Sequence, residues 1–149
     1  MQCQVRKAEA ADATRISQVI LAALLTSNAQ DYPASVIERV KASFTADGVL
    51  HLMQSRRMFV ALVDGALLGT ASLDGRAVRT MFVDPAWQGR GIGRCLMLAL
   101  QQVARESGEQ SLIVPASITA EGFYARLGFR TVREQLDGEE RTLIMARPL

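Results

Sequence analysis

Apolar positions recur along this chain in two rhythms, one helical and one extended. Gln2 to Lys7 reads as a short strand. In EAADATRISQVILAALL, residues Ile16, Val19, Ile20, Ala23 and Leu24 fall on one face, as in an amphipathic helix. SNAQDYPAS interrupts that helix, because a proline pushes its predecessor, here Tyr32, out of the α region. Ser35 is placed to cap a second helix, VIERVKASF, and ADGVLHLMQS predicts a third, shorter one. The rhythm then changes. RMFVALVDGALLGTASLDGRAVRTMFVDP holds three apolar runs separated by Asp64-Gly65 and Asp74-Gly75. Asp-Gly between strand-like runs is a strong hairpin signal. The segment Met58 to Val83 is therefore expected to be a three-stranded antiparallel meander, closed by Pro85.

A longer helix follows, with Ile92, Leu96, Ala99, Leu100 and Val103 on one face and Arg94, Gln101 and Arg105 on the other. SLIVP is short and wholly apolar, which predicts a strand buried on both faces. TAEGFYARLG predicts a helix ended by Gly128 just past its last turn. FRTVREQL and RTLIMARPL predict a final hairpin around Asp137-Gly138. The order is β, helices, βββ, α, β, α, ββ, an α/β domain around a mixed sheet. With 149 residues, a single domain over 1–149 is expected.

Composition narrows the classes. Apolar residues make up 49% and charged residues 21%, with a net charge of +2, ordinary for a globular chain. There is no block of Lys and Arg and aromatics are few, so nucleic acid is not the expected partner. Cys3 and Cys95 make neither a disulfide framework nor a zinc site, and no metal is expected. The first residues are too polar for a signal peptide. No apolar run approaches the roughly 20 residues that span a bilayer. A cytoplasmic protein with idle thiols is expected.

The stretch DPAWQGRGIGRCLM carries the chemistry. Gly89, Gly91 and Gly93 stand at alternate positions directly before the long helix, flanked by Arg90 and Arg94. Bare backbone at a helix start lets a ligand approach the unpaired N–H groups there. The helix dipole adds partial positive charge, and together they make an anion site suited to a pyrophosphate. Arg94-Cys95 stands where a P-loop needs Lys-Ser or Lys-Thr. The spacing G-x-G-x-G is also not that of a dinucleotide fingerprint.

FVDPAWQGRGIGRCLM resembles the acetyl-CoA signature of the GNAT N-acetyltransferase superfamily, [Q/R]-x-x-G-x-[G/A], here Gln88, Gly91 and Gly93. ASITAEGFYARLGF, from Ala116 to Phe129, is similar to that family's downstream helix. The element order also matches over almost the whole chain. The resemblance implies a GNAT-like fold, a mixed and mostly antiparallel sheet flanked by helices, with a splayed pair of central strands. It implies that Met81, Phe82 and Val83 diverge from SLIVP and pair with the pantetheine arm. It implies that the N–H groups of Gln88, Gly89, Arg90, Gly91, Ile92, Gly93 and Arg94 hold the pyrophosphate. Ser117 falls where many relatives carry an asparagine that touches the cofactor.

Acetyl transfer from acetyl-CoA to an amine needs a neutral amine, a donor for the oxyanion and an acid for the departing thiolate. Tyr124 is the candidate acid by family precedent, since a phenol stays protonated at neutral pH. No general base is visible, because AVRTMFV carries Arg79 and Thr80 where many relatives have a glutamate. His51 sits in an earlier helix, far from the thioester. Asp31 and Tyr32 are the acceptor-side candidates, although an aspartate there also reads as a loop cap. Arg79 reads as a solvated strand arginine or as the partner of an acidic substrate group. The resulting expectation is acetyl transfer to a primary amine of a small molecule or protein. The alternatives are a non-catalytic acyl-CoA-binding or sensing module and a nucleotide-binding interaction domain. A homodimer is possible if RTLIMARPL extends a sheet between copies.

Overall fold

A computed structural model describes residues 2–28, 32–138 and 140–149. Seven strands form one sheet: β1 (Cys3–Lys7), β2 (Arg57–Val63), β3 (Ala66–Asp74), β4 (Ala77–Val83), β5 (Ser111–Ala116), β6 (Arg130–Asp137) and β7 (Glu140–Pro148). Their spatial order is β1-β2-β3-β4-β5-β7-β6. Each neighbouring pair is antiparallel except β4 and β5, which are parallel. The expected meander is present as β2, β3 and β4, turned at Gly65 and Gly75, both at positive φ. β7 lies inside the sheet between β5 and β6. Its outer edge is thus taken by its own hairpin partner, which removes the reading of RTLIMARPL as an extension between copies.

The helices α1 (Ala13–Ala23), α2 (Ala34–Ser43), α3 (Ala46–Leu52), α4 (Ile92–Glu106) and α5 (Glu121–Arg126) cover the two faces. A strand turns alternate side chains to opposite faces, and β2 shows the sorting. Met58 and Val60 pack with Ile16, Val19, Ile20 and Val49 of α1 and α3. Ala61 and Val63 pack with Leu96, Met97 and Leu100 of α4. α1 carries the face expected of it, then continues through a π-helical turn, Leu24–Asn28. Arg6 makes two bonds to Asp12, at 2.8 and 3.0 Å, tying the end of β1 to the turn that leads into α1. The Arg6 guanidinium holds the Asp12 carboxyl below its ordinary pKa.

Three expectations need correction. Gln101 is buried, and the inner face of α4 runs through Ile92, Leu96, Met97, Leu100, Gln101 and Ala104. The apolar stripe is wider than the spacing of five positions suggests. α2 starts two residues early, with Pro33 rather than Ser35 at the N-cap, because proline's fixed φ suits a helix entrance. β5 alternates between buried and half-buried positions, since one of its faces looks into a cleft rather than onto a packed helix. Cys3 and Cys95, for which idle thiols are expected, lie together, with the Cys95 thiol 3.6 Å from the Cys3 carbonyl oxygen. Burial, and then Cys95, push the Cys3 thiol up to about 12, so it stays protonated and unreactive. No helix among the described residues is long and apolar enough to cross a membrane.

Leu100 is fully buried at the centre of the α4 face. Leu100→Ala is expected to cost about 2–5 kcal/mol, the range for emptying a buried leucine site. Urea unfolding followed by circular dichroism should show a lower midpoint with an unchanged slope.

Candidate functional site

The site begins where β4 leaves β5. Their ladder holds one pair, Ala77 with Ile113, supported by the bond from the Ile113 N–H to the Arg76 carbonyl at 3.0 Å. Between the pairs Thr70–Phe82 and Ser72–Arg79, β4 carries one residue more than β3, which defines a β-bulge. Thr80 takes the strain at φ +49°, a conformation in which a β-branched residue is an outlier. Ser72, fully buried, braces it. The Ser72 hydroxyl donates to the Arg79 carbonyl at 3.2 Å and lies 2.7 Å from the Thr80 hydroxyl. Its single proton is used on Arg79, so Thr80 is the donor of the second bond. Beyond the bulge, the β4 edge toward β5 has no strand partner among the described residues.

The glycine segment continues from this strand. The Asp84 carboxylate accepts the Ala86 N–H at 3.0 Å and receives Arg15 of α1 at 2.9 Å. It thereby fixes the turn that opens the loop. Gly89 and Gly91 sit at φ +76° and +85°, which L side chains rarely adopt. Gly91 is the N-cap of α4 and accepts the first helical bond, from Cys95 at 3.0 Å. The N–H groups of Ile92, Gly93 and Arg94 open the helix and have no intrahelical partner. Gly93 has a different reason: a Cβ there would stand 2.8 Å from the ring of Phe123. Its bareness lets α5 pack against the first turn of α4.

A cleft of about 480 Å³ opens between these parts. Met81, Phe82 and Val83 form one wall, and Gln88, Gly89, Gly91, Ile92, Gly93 and Arg94 form another. Thr119, Ala120, Phe123, Tyr124 and Arg126 close it. Arg90 stands outside this lining, 4.7 Å over the Trp87 ring, so it braces the loop by a cation–π contact. Arg126 is the cation that sequence reading missed. Its signal was the spacing of three from Phe123, which puts both on one side of α5.

A second cavity of about 160 Å³ lies behind the first, lined by Leu24, Tyr32 and α2 on one side and by β4, β5 and α5 on the other. Met81, Phe82, Ala120 and Tyr124 line both. Tyr32 and Arg79 belong to this second cavity, and so does Ser117, whose hydroxyl accepts the Ala120 N–H at 3.3 Å. Asp31 lies outside the described residues. His51 lines neither cavity. Tyr124 is buried against Phe123 and Phe129, ring centroids 5.1 and 5.7 Å away. Its helix is closed by Gly128 and by Arg147, which donates to the Leu127 carbonyl at 2.8 Å. Burial raises the Tyr124 pKa above the ordinary phenol value, so the hydroxyl keeps its proton throughout the neutral range.

The description "Acetyltransferase (GNAT) domain" belongs to a family model that matches residues 28–144. An uncharacterized N-acetyltransferase of Escherichia coli (strain K12), YafP, is 26% identical over 89% of this chain and 84% of its own. Glucosamine 6-phosphate N-acetyltransferase of Trypanosoma brucei brucei is 32% identical over 54% of this chain and 62% of its own. Among solved structures, a GCN5-related N-acetyltransferase from Rhodopseudomonas palustris superposes with a TM-score of 0.91 at 23% identity, covering 100% of this chain and 97% of that one. PaiA N-acetyltransferase from Thermoplasma acidophilum, in complex with coenzyme A, superposes at 0.82 with 18% identity over the whole of both chains.

Ser72→Ala leaves the Thr80 hydroxyl and the Arg79 carbonyl without their buried partner. It is expected to destabilise the fold by about 1–3 kcal/mol, read as a lower denaturation midpoint. A midpoint equal to wild type would remove Ser72 as the brace of the bulge.

Proposed function

The chain belongs to the GNAT family of N-acetyltransferases, and from that premise we propose that it moves an acetyl group from acetyl-CoA to a primary amine by direct attack through a tetrahedral intermediate. The observation that carries this reading is the shared wall. Tyr124, Met81, Phe82 and Ala120 line the cleft behind the glycine loop and also the cavity behind it. One compartment takes the donor, the other the acceptor, and they meet at a buried phenol.

The donor compartment fits the group on three counts. Free N–H groups and the dipole at the α4 N-terminus receive the pyrophosphate. Arg94 and Arg126, both lining the cleft, add full charge at its rim. The unpaired edge at Met81, Phe82 and Val83 offers alternating N–H and C=O groups to the pantetheine amides, in the manner of an added strand. The same edge supplies a backbone donor for the carbonyl oxygen as it gains charge.

The acetyl thioester supplies the activated carbonyl. The amine nitrogen bonds to that carbon and the carbon–sulfur bond breaks. Tyr124, held neutral by burial, gives its proton to the leaving sulfur and recovers one, through water, from the nitrogen. No carboxylate or histidine lines the acceptor cavity among the described residues, so the amine enters neutral after losing its first proton to solvent. The acceptor is an amine, the class to which the substrate in one relative's name belongs. A module that only held the cofactor would have no use for a proton-bearing phenol at the junction, which weighs against the binding-module reading.

Calorimetry with acetyl-CoA should give micromolar binding, about −8 kcal/mol, lost in Gly91→Glu, which sets a carboxylate at the helix N-terminus. Circular dichroism controls for strain at that positive φ. Tyr124→Phe should keep this binding and lower kcat about 10- to 10⁴-fold. An unchanged kcat in the folded variant would sink the acid role.

A further inference from the structure

Given the transferase reading, on which this step rests, we infer that the acceptor amine carries an anionic group, a phosphate or a carboxylate, received by the guanidinium of Arg79. Arg79 is the only charged side chain among the described residues lining the acceptor cavity. Its Nε–H is buried and has no hydrogen-bond partner among the described residues. The Arg79 side chain as a whole is 41% exposed, so it is this one N–H and not the whole charge that is buried, and a buried donor left without a partner is costly.

The nearest carboxylate does not satisfy it. Asp74 Oδ2 lies 3.8 Å from Arg79 Nε, beyond hydrogen-bond range, and its side chain is half exposed, so the attraction is screened. Asp74 is also shared. Arg56, at the entrance of β2, feels both Asp74 and Arg79, and burial together with Arg79 depresses its pKa. Two guanidiniums around one carboxylate leave a net positive charge beside the cavity. A guanidinium presents a planar fork that fits phosphate and carboxylate oxygens in pairs. An acceptor with a second cationic centre would instead meet like charge, with no carboxylate among the described lining residues to offset it.

Position supports the same conclusion. Arg79 directly precedes Thr80, and its carbonyl is held by Ser72. Its backbone is therefore fixed at the point where β4 turns away from β5. An anion on Arg79 would anchor one end of the acceptor on β4, in the cavity that also reaches Tyr124.

The test uses acceptors that differ only in the anion: ethanolamine against its phosphate ester, and an amino-acid methyl ester against the free amino acid. The anionic member of at least one pair should be used with higher kcat/KM, and which pair responds distinguishes phosphate from carboxylate. Arg79→Gln should raise KM for that acceptor about 10- to 100-fold, the scale of one hydrogen bond to a charged group. It should leave kcat, acetyl-CoA affinity and the uncharged acceptor little changed, and Arg79→Lys should restore part of the loss. Equal use of both members, or an equal effect of Arg79→Gln on both, would overturn the inference. A second readout is independent of turnover. The Arg79 Nε–H resonance, assigned by its loss in Arg79→Gln, should shift on titration of the coenzyme A complex with the phosphate ester of ethanolamine. Absence of a shift at millimolar ester overturns the anion site even if transfer is found. A shift without transfer retains the anion site and counts against the transferase reading.

Discussion

Strand β4 is paired along one edge with β3 but keeps β5 at a single position, Ala77 with Ile113. A sheet does not give up ladder bonds in its middle without cause, since each buried N–H and C=O must find a partner. Here the cause is local. One extra residue in β4 bends the strand, Thr80 absorbs the bend at positive φ, and Ser72 from β3 holds it. Strain of this kind costs about 1–3 kcal/mol. It persists because the surrounding bonds leave Thr80 no other conformation. The opening that results is the wall of both cavities.

The remaining parts can be read as supports for that opening. α4 rests on the sheet through an almost wholly apolar face, which aims its N-terminus at the mouth of the split. Gly93 lets Phe123 close against that first turn, and Phe123 in turn stacks edge-on to Tyr124. Arg15 crosses from α1 to Asp84, so the helix whose last residue, Ala23, lines the cleft and the loop in front of it share one ion pair. The loop before α4, the aromatic pair and the wall shared by the two cavities are thus joined by direct contacts.

Much of this was legible in the residues. Asp-Gly pairs marked the meander, and glycines at alternate positions marked the loop before α4, where Gly89 and Gly91 stand at positive φ. Both are legible because they answer to backbone torsions that few other residues tolerate. What escaped depends on contacts between distant segments. Gly93 read as a ligand-facing glycine, and the need for it to be bare against the ring of Phe123 was not visible in the sequence. Arg126 gave no signal beyond its spacing from Phe123, and only the fold shows that it lines the cleft while the loop's Arg90 lies over Trp87. Thr80 carries no sign of its torsion, because β-branched residues favour extended backbone. Its brace comes from the neighbouring strand. Gln101 looked solvent-facing because its type is mostly exposed, yet the breadth of the α4 interface buried it.

Among the described residues no carboxylate or histidine lines the second cavity, and on the proposed mechanism this has a consequence in proton accounting. Attack by a neutral amine transfers one proton, in net, from nitrogen to sulfur. A phenol that gives and regains that proton closes the cycle, and the chemical step leaves no surplus. What a general base would add is the earlier step, removal of the ammonium proton. Without one, that step is a solution equilibrium set by the amine itself. At pH 7 roughly one in ten amines with a pKa near 8 is neutral, against roughly one in 2,500 at the lysine value of about 10.4. On the proposed mechanism, then, the site works on weakly basic amines at little loss and on lysine-like amines at a loss of more than a hundredfold. The residue that stands on β4 in place of a base is Arg79. A positive charge there lowers the pKa of a nearby ammonium, moving the acceptor in the direction that the missing base would have moved it.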